Sequence, residues 1–326
     1  LKFQDHYLQD KNVFLAFQKT EKARRDEYNF QILEIDIANG DFKGKTMFVP
    51  DNATLVSFKV WGDRFVAGLN YDKDEAILLI RDLNTDAEAS VQFTDKPTFI
   101  EDVRIDPASG EITTALTLYT SRRESELYVN TYDDEAVLLS SVRIAPPYPT
   151  QKLMNAQVNF MPDNELYVLG SFNNLNGTFS RAEEDEAGEE SEGFYIAKIA
   201  QGEQEFIRFH KLLDFRNITN ILNNEELIAV NKLIEKEKRK GKEQNLYYDF
   251  LIHDLKMQDD QFIMLAEAYY PKYQQVSTIS YDIYGQPMPY YYNVFEGYRY
   301  FNAFLASFDM DGNLIWSNGI KIWDVL

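Results

Sequence analysis

A pair of apolar, β-branched and aromatic segments recurs along the chain at a nearly even spacing. That repetition limits the possible folds more than any single motif does. The first segment of each pair covers residues 13–17, 64–69, 111–116, 165–170 and 261–266, and its companion covers 30–36, 76–82, 126–130, 193–199 and 303–309. With Phe14, Phe65, Ile112, Leu166 and Phe262 as register marks, the spacings are 51, 47, 54 and 96 residues. The first three fit the roughly 40–50-residue period of four-stranded propeller blades, slightly stretched, and the last contains an insertion. A further apolar segment precedes each of the later pairs, at 55–60, 99–105, 156–160 and 248–255, and a polar turn and another strand follow each pair. Asn39-Gly40 and Asp311-Gly312 are suited to these turns because both residue types tolerate positive φ.

The repeating unit is therefore strand, turn, strand, loop, strand, hairpin, strand. Five such units fall at about 1–52, 53–97, 98–147, 153–214 and 245–322. A lone four-stranded unit cannot bury both of its faces, and blades packed side by side do so while leaving few edges. The expected fold is an all-β propeller of four-stranded antiparallel blades in a single domain over 1–326. A β-sandwich or a solenoid of similar meanders is the competing architecture. One helical insertion is expected at about 220–244, where Leu227, Ile228, Val230, Leu233 and Ile234 make an apolar face and Lys236, Lys238, Arg239, Lys240 and Lys242 a basic end. Cations late in a helix suit its dipole.

The segment Phe304-Leu305-Ala306-Ser307-Phe308-Asp309-Met310-Asp311-Gly312-Asn313-Leu314-Ile315-Trp316 resembles the repeat of bacterial propeller proteins related to WD40-like and quinoprotein-like families. Exported propellers of Bacteroidetes-type bacteria are similar to it in particular. The Gly-His and Trp-Asp signature of true WD40 repeats is missing. The resemblance implies the architecture and export to the periplasm, the cell surface or the medium of a Gram-negative bacterium. It implies no catalytic residues.

Charge narrows the partners. Asp and Glu number 53 against 33 Lys and Arg, a net charge of -20. Such a chain repels a phosphate backbone and an anionic membrane surface, so nucleic acid is not an expected partner. The sequence has no cysteine, which excludes disulfides and thiolate chemistry but suits the cytoplasm as well as an exported setting. No apolar run approaches the ~20 residues of a membrane-spanning helix. Leu1 opens within a strand-like segment and the chain stops at Leu326 without a polar tail, so a fragment of a longer chain is expected.

Catalytic motifs are absent: there is no G-x-S-x-G, P-loop or H-E-x-x-H pattern. No cofactor is expected. The first strand of each blade lines the channel in propellers, which makes Asp5, His6, Asp102, Arg104, Asp249 and His253 the channel-lining candidates. Two of these carboxylates at the right separation would form a glycosidase acid–base pair. Asp309, Asp311 and Asn313 resemble the start of a calcium loop, but Ile320 stands at the twelfth position, where an EF-hand needs Glu, so a hairpin turn is the reading. Residues 183–192 are strongly acidic and read as a solvated loop.

The stretch from 269 to 300 reads as a long loop carrying Tyr269, Tyr270, Tyr273, Tyr290, Tyr291, Tyr292, Tyr298 and Tyr300. Tyrosines give large amphipathic contact area at low entropic cost, which suits recognition of proteins or sugars. The sequence thus points to a non-enzymatic propeller that binds a protein partner through this stretch, as a subunit of an exported or envelope assembly. The alternative is a carbohydrate-active or glycan-binding propeller that uses its channel carboxylates.

Overall fold

The computed structural model describes residues 2–19, 29–50, 52–72, 74–121, 124–161, 165–174, 191–215, 232, 248–281 and 286–325. Apart from Lys232, the expected helix over 220–244 lies outside these residues, as does most of the acidic stretch 183–192.

The fold is a β-propeller of four-stranded antiparallel blades, five in number among the described residues. Blade one is β1 (Lys2–Gln9), β2 (Asn12–Gln18), β3 (Phe30–Asp36) and β4 (Phe42–Met47), paired in that order. Blade two is β5 (Thr54–Trp61), β6 (Arg64–Tyr71), β7 (Glu75–Asp82) and β8 (Glu88–Phe93). Blade three is β9 (Thr98–Ile105), β10 (Ile112–Tyr119), β11 (Ser125–Tyr132) and β12 (Leu138–Ile144). The first strand of the last two blades is interrupted. Blade four has β13 (Gln151–Leu153) and β14 (Gln157–Phe160) against β15 (Leu166–Asn174), then β16 (Gly193–Ala200) and β17 (Glu203–Lys211). Blade five has β18 (Asp249–Ile252) and β19 (Lys256–Gln258) against β20 (Gln261–Tyr281), then β21 (Pro287–Phe308) and β22 (Leu314–Val325).

The strands follow from composition. The central strands of blade two are apolar on both faces, as in the fully buried run Phe65-Val66-Ala67-Gly68-Leu69 of β6, because both faces meet a neighbouring layer, whereas those of blade one alternate buried and half-buried residues. Outer strands alternate instead: β8 reads exposed and half-buried in turn. The hairpins between third and fourth strands of blades one, two, three and five share one device, an Asp whose carboxylate accepts backbone N–H groups two or more residues on; that of blade four turns instead on Gln201 and Gly202, both at positive φ. Asp36 Oδ1 accepts from Ala38, Asp82 Oδ1 from Asn84 and Thr85, Asp133 Oδ1 from Glu135 and Val137, and Asp309 Oδ1 from Asp311 and Asn313. The Thr85 and Asn84 donors hold the Asp82 carboxyl below its ordinary range.

The chain divides into two compact units, residues 1–170 with 196–207, and 171–195 with 208–326. In the first, one core cluster gathers Phe14, Phe30, Ile32 and Met47 of blade one with Phe58, Phe65 and Leu69 of blade two, and another gathers Val66, Leu78 and Ile80 with Ile100, Val103 and Leu116. Gly68 permits this approach, since a Cβ there would lie 2.6 Å from Val103 Cγ2 and 2.9 Å from Ile100 Cγ2. In the second unit a chain of rings does the same work. Phe194 and Phe250 have centroids 4.7 Å apart, Phe250 and Phe304 5.5 Å, and Phe172 and Phe209 4.8 Å. His210 belongs to this core: it is half-buried, its ring lies 5.0 Å from Phe308, and its Nε2 is 2.8 Å from the Gly312 carbonyl oxygen. Burial pushes its pKa below the ordinary histidine value.

Candidate functional site

Two places gather chemistry-bearing side chains: the first strands of the early blades, and the far end of blade five.

The first strands of blades one to three carry a common irregularity. The pairing register jumps between Phe3 and Asp5 in β1, between Leu55 and Ser57 in β5, and between Ile100 and Asp102 in β9. Each strand therefore has one extra residue, Gln4, Val56 or Glu101, which re-aims the side chains beside it. Asp102, immediately after the third bulge, is buried, at 5% exposure. Its Oδ2 accepts from Arg104 Nε at 2.7 Å and from the Val158 backbone N–H at 2.9 Å, and its Oδ1 accepts from the Val103 N–H at 2.9 Å. Burial raises its pKa, and the Arg104 guanidinium opposes that shift. Glu101, the bulged residue, is pushed up by burial to about 7, with Thr117 and Lys152 opposing and Asp102 adding to the rise. Nearby, Lys59 Nζ lies 5.5 Å from the Tyr7 ring centroid, and Lys152 Nζ, on a buried side chain, 5.3 Å from that of Tyr119.

Among the residues singled out from the sequence, Asp102 and Arg104 are therefore brought into direct contact. Asp5 and His6 lie together on β1, with Oδ1 and Nδ1 3.8 Å apart, His6 exposed and Asp5 half-buried. Asp249 and His253 belong to the second unit. Burial raises the pKa of Asp249, and the register of β18 places it across from Tyr269, whose hydroxyl is pushed up to about 12 by burial, with the Asp249 charge adding to it. His253 Nε2 is 3.6 Å from Glu267 Oε1. Sequence reasoning missed Glu101, Lys59 and Lys152, because a bulge is not visible in an alternating pattern. Asp309, Asp311 and Asn313 form a hairpin: the second oxygen of Asp309 accepts from Asn313 Nδ2 at 3.0 Å. Among the described residues no three His, Asp or Glu side chains gather as a metal cage.

The stretch from 269 to 300 is not a loop. Strands β20 and β21 run on beyond the blade as a two-stranded ribbon, paired without a break in register from Tyr273–Phe295 to Tyr281–Pro287. The prolines at 271, 287 and 289 are tolerated in strands here because both strands of a ribbon are edges. The abundant Tyr, Val, Thr and Ile favour strand. At the root, Tyr269 and Tyr300 are half-buried with rings 5.5 Å apart, and Tyr270 packs 5.7 Å from Phe301. A bulge at Glu296, where Lys272 Nζ meets Glu296 Oε2 at 2.9 Å, separates root from tip. Past this pair, residues 273–281 and 286–295 contain no charged side chain. One face of the tip carries Val276, Thr278, Tyr290 and Tyr292, the two tyrosines stacked at 6.1 Å; the other carries Tyr273, Ile279, Tyr291 and Phe295. Tyr290 and Tyr291 are each 59% exposed and Ile279 66%. Of the eight tyrosines picked from the sequence, six are thus displayed, and Tyr269 and Tyr300 pack at the root.

No protein-family model matches the chain, and no curated protein matches it. Solved structures do. A Penicillium chrysogenum alpha-L-arabinanase complexed with arabinobiose is 8% identical over 97% of this chain and 91% of its own, with a TM-score of 0.45. A protein of unknown function from Bacteroides caccae is 10% identical over 95% and 94%, with a TM-score of 0.34. A prolyl endopeptidase is 10% identical over 97% of this chain, which spans 41% of that one, with a TM-score of 0.43. At such identities no activity carries across. Among the described residues no helix is long and apolar enough to cross a membrane.

Proposed function

We propose that this chain is a non-enzymatic propeller that binds a protein partner through the aromatic ribbon of blade five, as a subunit of an exported or envelope assembly. One observation carries the proposal: along residues 273–281 and 286–295 two paired strands without charged side chains display tyrosine on both faces, with Phe295 and Ile279 on one of them, in a chain whose net charge is -20. Exposed apolar patches of this kind mark interaction sites, and tyrosine is enriched at the centres of interfaces. The contacts of Asp102 support the non-enzymatic part, since both its oxygens are engaged by Arg104 and backbone N–H groups. The resemblance of the repeat to exported bacterial propellers supports the location.

The double substitution Tyr290→Ser, Tyr292→Ser tests the reading, with bound proteins from the native source quantified by mass spectrometry. A protein recovered in stoichiometric amount by the parent chain should fall at least ~10-fold, as loss of about 1.4 kcal/mol at a hot spot implies. Unchanged recovery contradicts the proposal. Stacked tyrosines also offer faces to sugar rings. If a glycan array binds the parent chain and no protein does, the glycan reading takes its place.

A further inference from the structure

The faces of the ribbon concern a partner; its edge points to something else. Outer strands of the blades carry the charges that keep sheet edges from pairing: Lys43 and Lys45 in β4, Glu88 in β8, Arg143 in β12, Glu203 and Glu205 in β17, Lys321 in β22. Between Tyr273 and Tyr281, β20 has neither charge nor proline. Its only strand partner there, among the described residues, is β21, since β18 reaches no further than Tyr269. Pro287 and Pro289 have no N–H, so their pairs with Tyr281 and Ile279 are the non-hydrogen-bonded ones. The N–H and C=O groups of Gln275, Ser277 and Ile279 consequently point away from β21, along an unguarded edge. The same prolines blunt the opposite edge.

A two-stranded ribbon is marginal in water and gains from further strands. We propose that a second copy of this chain supplies them, the two β20 edges pairing antiparallel about a twofold axis near Ser277. The edge is its own complement. It is uncharged on both sides, and Val276 lies across from Thr278 of the second copy, a β-branched pair. Two chains of charge -20 repel wherever acidic surfaces approach within a Debye length of ~8 Å. Paired about Ser277, residues 273–281 of the two copies bring no charge together. An isologous contact between two edge strands is smaller than the ~800 Å² per partner of a standard interface, and contacts at that end of the range are weak and transient.

Because the chain contains no cysteine, one introduced thiol reports the contact. Under mild oxidation at ~100 µM, about the concentration such affinity demands, Ser277→Cys should cross-link to twice the 38.0 kDa monomer mass. Ala38→Cys, in an exposed turn of blade one, should not. Sedimentation of the unmodified chain should show a dimer that dissociates on dilution. Ser277→Pro and Ile279→Lys, which leave the β20–β21 ladder intact, should be monomeric with an unchanged unfolding temperature. A monomeric parent chain, equal cross-linking of the two thiol variants, or a dimer that survives Ser277→Pro overturns the inference. A monomer that still recovers its partner through Tyr290 and Tyr292 removes the pairing alone, whereas a dimer that recovers none removes the partner reading alone.

Discussion

Asp102 shows how a single side chain ties first strands together. Its carboxylate joins β9 to the Val158 backbone of β14 and neutralises Arg104, all in a buried setting. Asp102→Ala removes a buried acceptor of Arg104 Nε and of the Val103 and Val158 N–H groups, so it should destabilise the chain by ~3 kcal/mol in urea unfolding, and Asp102→Asn by less because it keeps an acceptor. A loss below ~1 kcal/mol would mean that water solvates Arg104 well. Glu101 gives a pH signature. Its folded pKa is raised to about 7, so its favourable contribution is present below the ordinary value of 4.5 and lost as pH rises through 7. Glu101→Gln carries no such penalty. The unfolding temperature of Glu101→Gln relative to the parent should rise between pH 5 and pH 8, and a difference that stays flat contradicts the assignment. The sequence singled out Asp102 and Arg104 because they lie on a blade's first strand, which lines the channel in propellers. It could not single out Glu101, because one inserted residue changes which face a side chain takes without changing composition.

At the scale of elements, the blade pattern was legible because each blade repeats one burial problem. Central strands with a neighbouring layer on each side are apolar on both faces, as β6 and β7 are, and four of the five third-strand hairpins begin with a residue that caps its own turn, Asp36, Asp82, Asp133 and Asp309. The ribbon was not legible as strand, because Pro287 and Pro289 read as breakers unless both strands are known to be edges. Tight spots between strands were equally hidden. A Cβ at Gly193 would lie 2.1 Å from the His210 carbonyl oxygen and 2.9 Å from Lys211 Cα, both backbone atoms that cannot step aside. Gly193→Ala should therefore destabilise by at least ~2 kcal/mol, while Gly68→Ala, facing the side chains of Ile100 and Val103, should cost ~1–3 kcal/mol. Thermal unfolding of the two variants checks the order. A smaller loss at Gly193 than at Gly68 would show that β17 shifts more freely than its pairing suggests.

For the whole molecule, charge and shape divide the labour. On the proposed reading, an acidic surface keeps chains apart, and they and a partner meet on ribbon residues 273–281 and 286–295, which carry no charged side chain. Tyr290, Tyr291 and Tyr292 stood out from composition alone as candidates for recognition, but their division between two faces required the register of β20 against β21. The ribbon tip adds no strand to the blades, so folding should not depend on it. The most direct measurement replaces residues 273–295 by an Asn-Gly turn joining Lys272 to Glu296, then compares partner recovery and thermal unfolding with those of the intact chain. The account predicts that recovery disappears while the unfolding temperature moves by no more than ~4 °C, the shift of about 1 kcal/mol in a chain this large. Full recovery by the shortened chain would contradict it and place the binding surface on the blades.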